Sequence, residues 1–183
     1  MSHGAFRIGG VTSSRDREIF VRLPAMIHRH DERWVPPLSA DEIRFLDPCR
    51  NHAFTYSDVM PAVAWRGDRP LGRIVGIVNH RHNALGNAHT ARFGSLECEN
   101  DSGAVQALLG YVEDWARQRG MRRVVGPMGF TDQDPEGLLV DGLEFIDSHH
   151  MLESNLAVRS EMERLGGQIY KRFRIYRKVP APA

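Results

Sequence analysis

The chain has 183 residues, of which 42% are hydrophobic and 26% charged, a mix that excludes a disordered polymer and suits one domain of roughly 100–200 residues. A chain of this size can bury about 70% of the surface its unfolded form exposes, so a real core is expected. Lys and Arg number 24 against 23 Asp and Glu, a net charge of +1, and this balance disfavours nucleic acid as the main partner, because proteins held by phosphate contacts carry a clear basic excess.

No stretch approaches the ~20 apolar residues of a membrane span, and the opening MSHGAFRIGG lacks the basic-then-apolar layout of a signal peptide. A cytoplasmic location with no membrane partner is the expectation. The two cysteines, Cys49 and Cys98, form no C-x-x-C and no disulfide framework, and read as free thiols.

In chain order, Phe6-Arg7-Ile8 is a short strand ended by Gly9-Gly10. Ser13 or Ser14 caps a helix with Ile19, Phe20, Leu23 and Ile27 at helical spacing, and Pro24 inside it predicts a kink or two short helices. Trp34 to Leu38, with Pro36-Pro37, is extended linker. Ser39-Ala40-Asp41-Glu42 matches a capping box opening a short helix that stops at Asp47-Pro48. Pro61 to Trp65 and Leu71 to Val78 flank the turn Arg66-Gly67-Asp68-Arg69-Pro70 and predict an antiparallel hairpin. A polar loop from Asn79 to His89 leads to a third strand over Thr90 to Cys98.

Asp101 or Ser102 then caps a helix whose Val105, Leu108, Leu109, Val112, Trp115 and Ala116 form one apolar stripe, terminated by Gly120. Arg122 to Val125 reads as a buried strand. Residues Gly126 to Gly142 hold four glycines and two prolines and read as loop. Leu143 to Ile146 is a further candidate strand. Ser154 or Asn155 caps a last helix with Val158, Met162 and Leu165 inward, ended by Gly166-Gly167. The final segment alternates Ile169, Lys171, Phe173, Ile175 and Arg177 against Tyr170, Arg172, Arg174, Tyr176 and Lys178. The basic, aromatic face could stack on nucleic acid, or be the solvated side of a strand. One mixed sheet with helices on its faces would bury all these stripes.

Nine histidines raise metal binding, but the pair His80 and His82 and the adjacent His149 and His150 match no zinc spacing, so no metal is expected. No G-x-x-x-x-G-K-[ST], strand-linked G-x-G-x-x-G or G-x-S-x-G occurs, which leaves P-loop, dinucleotide and serine-hydrolase readings without support.

The segment Asn155 to Gly167 resembles the last motif of GNAT-type N-acetyltransferases, Asn-x-x-Ala-x-x-x-Tyr followed by Leu-Gly-Phe. Asn155, Glu163, Leu165 and Gly166 agree; Val158 stands for Ala, Met162 for Tyr and Gly167 for Phe. Trp34 to Leu38, Leu46-Asp47-Pro48, Gly72-Arg73-Ile74, Asn79 to Asn83 and Gly126-Pro127-Met128 are similar to a bacterial family of proteins with two GNAT-like halves. The resemblance implies an α/β, GNAT-like fold: a mixed, mostly antiparallel sheet with helices on both faces, in one domain over 1–178 with a tail at 179–183. Residues 1–142 resemble the family's first half and 143–178 its C-terminal end, as if the chain were a shortened form.

The same resemblance implies an acyl-CoA-dependent N-acetyltransferase with acetyl-CoA as cofactor. Its alternative is a non-catalytic GNAT-like module that binds a partner or small ligand. The family's Gly-rich turn, Arg/Gln-x-x-Gly-x-Gly/Ala, corresponds here to Glu99-Asn100-Asp101-Ser102-Gly103-Ala104, where Gly103-Ala104 alone echoes it. Backbone groups of Ser102, Gly103 and Ala104 would hold the pyrophosphate at a helix N-terminus, and Asn155 the pantetheine arm. Glu99 and Asp101 beside that turn would each oppose a phosphate by a few kcal/mol, at ~5 Å and an effective dielectric near 20. Glu97 or Glu99 would be the base, unless both are plain strand carboxylates. Met162 cannot supply the proton that the family's Tyr gives. The acceptor is an unidentified small-molecule amine or protein, and the terminal strand leaves open a homodimer across a two-fold axis.

Overall fold

A computed structural model describes residues 6–30, 34, 36–131, 134, 138–139, 173–174 and 176–178. Its frame is the expected hairpin: β2 (Ser57–Arg66) and β3 (Arg69–Asn79) pair antiparallel across a turn in which Gly67 has φ +60°, a conformation that suits a residue without a Cβ. The ladder extends beyond the apolar run at both ends, taking in Ser57, Asp58 and Asn79 at one and Arg66, Arg69 and Pro70 at the other. β1 (Arg7–Gly10) pairs antiparallel with β2 and includes Gly9 and Gly10, which were expected to end it.

β4 (Thr90–Cys98) pairs antiparallel with β3 and parallel with β5 (Arg123–Gly126). β6 (Leu138–Leu139) and β7 (Phe173–Arg174) form a separate antiparallel pair, while β8 (Tyr176–Lys178) adds to β5. The main sheet therefore runs β1-β2-β3-β4-β5-β8 and is antiparallel except at β4–β5. β6 falls within the stretch expected to be loop, and the terminal strand is divided between two sheets. The strand expected at Leu143 to Ile146 and the helix expected from Ser154 or Asn155 lie outside the described residues.

The period-2 alternation of β3 sends its side chains to two cores. On one face Ile74 and Val78 join Ala62, Ala64, Ala91, Phe93 and Val124 beneath Leu108, Val112, Trp115 and Ala116 of α4 (Ser102–Gln118). On the other, Val75 and Ile77 join Val63 beneath Phe20 and Leu23 of α1 (Ser14–Ile27), with Leu46, Ala53 and Phe130 completing the cluster. Helices thus cover both faces, as the apolar stripes require.

Helix ends follow local chemistry, with three departures from expectation. Ser13 caps α1: its Oγ accepts from the Asp16 N–H at 3.1 Å, and the Asp16 carboxylate accepts from the Ser13 N–H at 3.0 Å. That helix runs through Pro24 as one element rather than two. A proline removes one N–H, and the carbonyl it leaves over, Phe20 O, accepts from Arg73 Nη1 at 3.1 Å instead. α2 (Ser39–Phe45) begins at Ser39 with Leu38 as its cap and no side-chain capping bond; Glu42 is drawn to Arg73 and does not close the expected box. The expected loop after β3 contains α3 (His80–Gly86), because Asn79 Oδ1 accepts from the His82 N–H at 2.9 Å and Asn87 ends the turn at φ +44°.

Candidate functional site

The site begins with a bulge. Between Val75↔Gly94 and Arg73↔Glu97 the ladder has two steps on β3 and three on β4, so β4 carries one extra residue. Ser95 takes it up at φ +48°. Before the bulge Ala91 and Phe93 face α4; after it Leu96 does. The inserted residue therefore reverses the parity of the strand, and Glu97 is turned to the α1 face, where an unbroken alternation would have turned it away.

There Glu97 meets a buried guanidinium. Arg73 shares the β3 face of Val75 and Ile77, its side chain only 3% exposed. Its Nη1 donates to Phe20 O and to Glu42 Oε2 at 2.6 Å, and its Nη2 donates to Glu97 Oε1 at 3.1 Å. The guanidinium also lies 4.8 Å over the Phe20 ring, while Nε has no partner. The second Glu97 oxygen, Oε2, accepts from His28 Nε2 at 3.0 Å. His28 follows the last turn of α1 and stacks on Trp34, ring centroids 5.3 Å apart. His28 and Glu97 are about one-third exposed (33% and 28%), so the pair is held from the inside and open to solvent outside.

Among the described residues, the edge of β4 next to this pair is also without a partner strand. β4 pairs with β5 only at Thr90, Ala91 and Arg92, and the Phe93 carbonyl accepts from the Met128 N–H at 2.8 Å. Among the described residues no strand pairs with that edge from Gly94 to Cys98. An unpaired edge offers backbone donors and acceptors to an extended amide chain.

The strand leads into the turn before α4. Glu99 lies one residue beyond β4, its N–H bonded to Leu71 O at 2.9 Å, and its carboxylate pairs with Arg69. Asp101 is the helix cap: Oδ1 accepts from the Ala104 N–H at 3.1 Å, and Oδ2 pairs with Arg66. The two negative charges expected to oppose a phosphate each have an arginine. The Ala104 hydrogen bond, and then Arg66, hold the Asp101 carboxyl below its usual range. Ser102 and Gly103 follow at the first turn, and a Cβ on Gly103 would come 2.8 Å from the Phe6 ring. An open groove runs over Cys98, Glu99, Asn100, Asp101, Ser102, Val105 and Gln106. Burial, with Asp101 and Glu99 adding to it, pushes the Cys98 thiol up to about 11. Asn155, Met162 and Tyr170 lie outside the described residues.

The structure thus brings Glu97 together with His28, Arg73, Glu42 and Trp34, none of which the sequence reading had put at the site. Glu99 and Asp101, with Ser102, Gly103 and Ala104, form a neighbouring cluster at the head of α4. Two signals were available: an arginine inside the apolar run Leu71 to Val78, and a proline inside an amphipathic helix. Either announces a buried polar contact, though not its partner. Among the described residues no group of three metal-ligating side chains occurs, and no helix is long and apolar enough to cross a membrane.

No family model matches the chain. It is 31% identical over 126 residues to the bacterial ceramide synthase of Caulobacter vibrioides, covering 68% of this chain and 33% of that protein. It is 23% identical over 154 residues to Protein YghO of Escherichia coli, covering 84% of this chain and 39% of that one. The chain spans between a third and two-fifths of the length of these curated relatives. Its fold is similar to an N-acetyltransferase from Staphylococcus aureus Mu50, at a TM-score of 0.54 and 13% identity over 96% of this chain and 99% of that one. It is also similar to a tandem GNAT protein from the clavulanic acid biosynthesis pathway, at a TM-score of 0.52 and 15% identity over 87% of this chain and 43% of that one. The fold is that of the GNAT N-acetyltransferases: a mixed, mostly antiparallel sheet between helices.

Proposed function

We propose that this chain is an acyl-CoA-dependent N-acyltransferase domain, in which an acyl group passes from the coenzyme A thioester to an amine beside Glu97. The observation that carries the reading is the bulge at Ser95, which aims Glu97 at His28 next to a strand edge that no described strand pairs with. A proton acceptor and a slot for an extended amide are what acyl transfer from a pantetheine thioester requires. Backbone groups of Ser102, Gly103 and Ala104 would face the pyrophosphate and Asn155 the pantetheine arm. Of the two candidate carboxylates, Glu97 is the one that belongs to the base side, because it holds the His28 ring while Glu99 is turned to Arg69.

The acceptor we favour is a long-chain amino alcohol. A ceramide is the amide of such an amine, and the likeness to a bacterial ceramide synthase supports that class over a short, water-soluble amine. The share of each relative that is covered supports reading the chain as the counterpart of one part of a two-half GNAT-like protein, working in the cytoplasm where acyl-CoA is made.

A second reading, a GNAT-like binding module without catalysis, has one observation in its favour: Asp101 already occupies the Ala104 N–H that a phosphate would use. One experiment separates the two. The full chain is incubated with acetyl-CoA or palmitoyl-CoA and with sphinganine or ethanolamine, and released thiol is followed. Thermal unfolding is read in parallel with acetyl-CoA alone, where a ligand at 100 times its dissociation constant stabilises by about 2.7 kcal/mol. Thiol release that depends on sphinganine supports the transferase. A chain that unfolds cooperatively, shows no shift and releases no thiol is the binding module.

A further inference from the structure

We infer that His28 is the catalytic residue that takes the proton from the acceptor amine, and that Glu97, Arg73 and Glu42 position it. The inference deepens the transferase reading and rests on it. Both oxygens of Glu97 already have donors aimed at them: Arg73 Nη2 at Oε1 and His28 Nε2 at Oε2. Since an ionised carboxylate can only accept, Nε2 carries the hydrogen, and whenever the ring holds a single proton its lone pair is on Nδ1. No described residue hydrogen-bonds Nδ1. Stacking on Trp34 sets the ring plane, the Glu97 bond sets the tautomer, and one-third of the side chain reaches solvent.

The charges around the ring come from three elements. Glu97 is on β4, Arg73 on β3 and Glu42 on α2, and the two carboxylates are tied to the one guanidinium. Orientation of an imidazole by a carboxylate, itself fixed by a buried cation, is the arrangement of a base whose partner stabilises the imidazolium without taking the proton. In the step itself the amine nitrogen attacks the thioester carbonyl carbon. The C–N bond forms and the C–S bond breaks, with its electron pair leaving on sulfur. The amine proton passes to His28 Nδ1, and the imidazolium returns it through water to the departing thiolate. The products are an amide and free coenzyme A thiol, and the step needs only the acyl-CoA thioester and the amine.

The test follows thiol release from palmitoyl-CoA with sphinganine in wild type, His28→Gln, His28→Ala and Glu97→Gln, each first shown to unfold cooperatively. His28→Gln is expected to lower kcat by about 100-fold or more, with KM within about threefold. Added imidazole is expected to restore part of the His28→Ala activity, and more basic azoles to restore more, a response that a merely structural histidine would not give. Glu97→Gln is expected to lower kcat and to shift the pH at which the rate is half-maximal. A His28→Gln rate within about threefold of wild type, or a His28→Ala loss that no azole relieves, overturns the assignment and leaves the transferase standing. No thiol release from the wild type with either thioester and either amine overturns the transferase, and the assignment falls with it.

Discussion

Replacing Arg73 by Met tests how the candidate site is held. Methionine fills a similar volume but leaves Glu42 and Glu97 without their cation, at 21% and 28% exposure. It also strands the Phe20 carbonyl, which Pro24 cannot satisfy. Removing one partner of a buried ion pair costs about 3–5 kcal/mol. The lower end applies, because both carboxylates keep some water and Arg73 Nε is already without a partner. At 2–4 °C per kcal/mol for a domain of this size, a loss of about 3 kcal/mol lowers the melting midpoint by about 6–12 °C. A second variant isolates the carbonyl. Pro24→Ala gives α1 back an N–H for Phe20, and an unsatisfied carbonyl costs about 1–3 kcal/mol. In urea unfolding the Arg73→Met/Pro24→Ala pair is therefore expected to be about 1 kcal/mol more stable than the sum of the single effects. A fall of under about 2 °C for Arg73→Met would refute the account of the network, and single effects that add within about 0.5 kcal/mol would refute the shared carbonyl.

Exchanging Glu42, Arg73 and Glu97 together for Leu, Met and Leu removes every charge of the network at once; its melting midpoint is expected well above that of Arg73→Met alone, because a whole buried ion network is often replaced by apolar residues without loss. Ser95→Gly is expected to leave stability unchanged or slightly raised, and Ser95→Val to lower it by about 1–2 kcal/mol in urea unfolding, since a side chain at φ +48° is strained and a branched one most of all. With its thiol pushed up to about 11, Cys98 has a thiolate fraction at pH 9 about 50-fold below that of a thiol at the ordinary 9.0 and is expected to react more slowly with iodoacetamide, and mass spectrometry is expected to find exposed Cys49 labelled first. The folded-state value of Asp101 lies below its ordinary 3.8, so its contribution to stability is present above that value and lost as pH falls through the folded one; Asp101→Asn is expected to flatten the acid limb of the melting midpoint below the ordinary carboxylate range.

Most of the fold was legible because its signals are local. The hairpin, the third strand Thr90–Cys98 and the α4 stripe each combine a period with a terminator, and the structure places them where the pattern does. Asn79 was misread for the opposite reason: nothing apolar marks α3, and its N-cap bond to His82 is the local device that starts it. Ser39 and Glu42 had the spacing of a capping box, but a buried cation from another element competed for Glu42 and won. Glu97 could be named from the sequence, while its direction could not. A single residue of bulge decides which face it takes, and one extra residue leaves no mark in the alternation of Phe93, Gly94, Ser95 and Leu96. His28 was invisible as a site residue because it stands 69 residues from Glu97, at the C-terminal end of α1.

The departures from local rule converge on one place. A proline inside α1 frees a carbonyl, an arginine inside an apolar strand fills it, and a bulge with a positive-φ serine turns a carboxylate toward that arginine. Each is unfavourable alone: a lost helix bond, a buried charge, a strained residue. A sheet of this topology needs none of them to close its core, since Val63, Val75, Ile77, Phe20 and Leu23 already supply the apolar face. What the three achieve together is the fixed orientation of Glu97 and, through it, of the His28 ring beside the stretch of β4 that no described strand pairs with. Irregularities that disagree with local preference and agree with each other mark a functional site more strongly than any one of them. On the proposed transferase reading, that agreement is what a base needs, because proton transfer asks for a ring held in one orientation as well as for a surface.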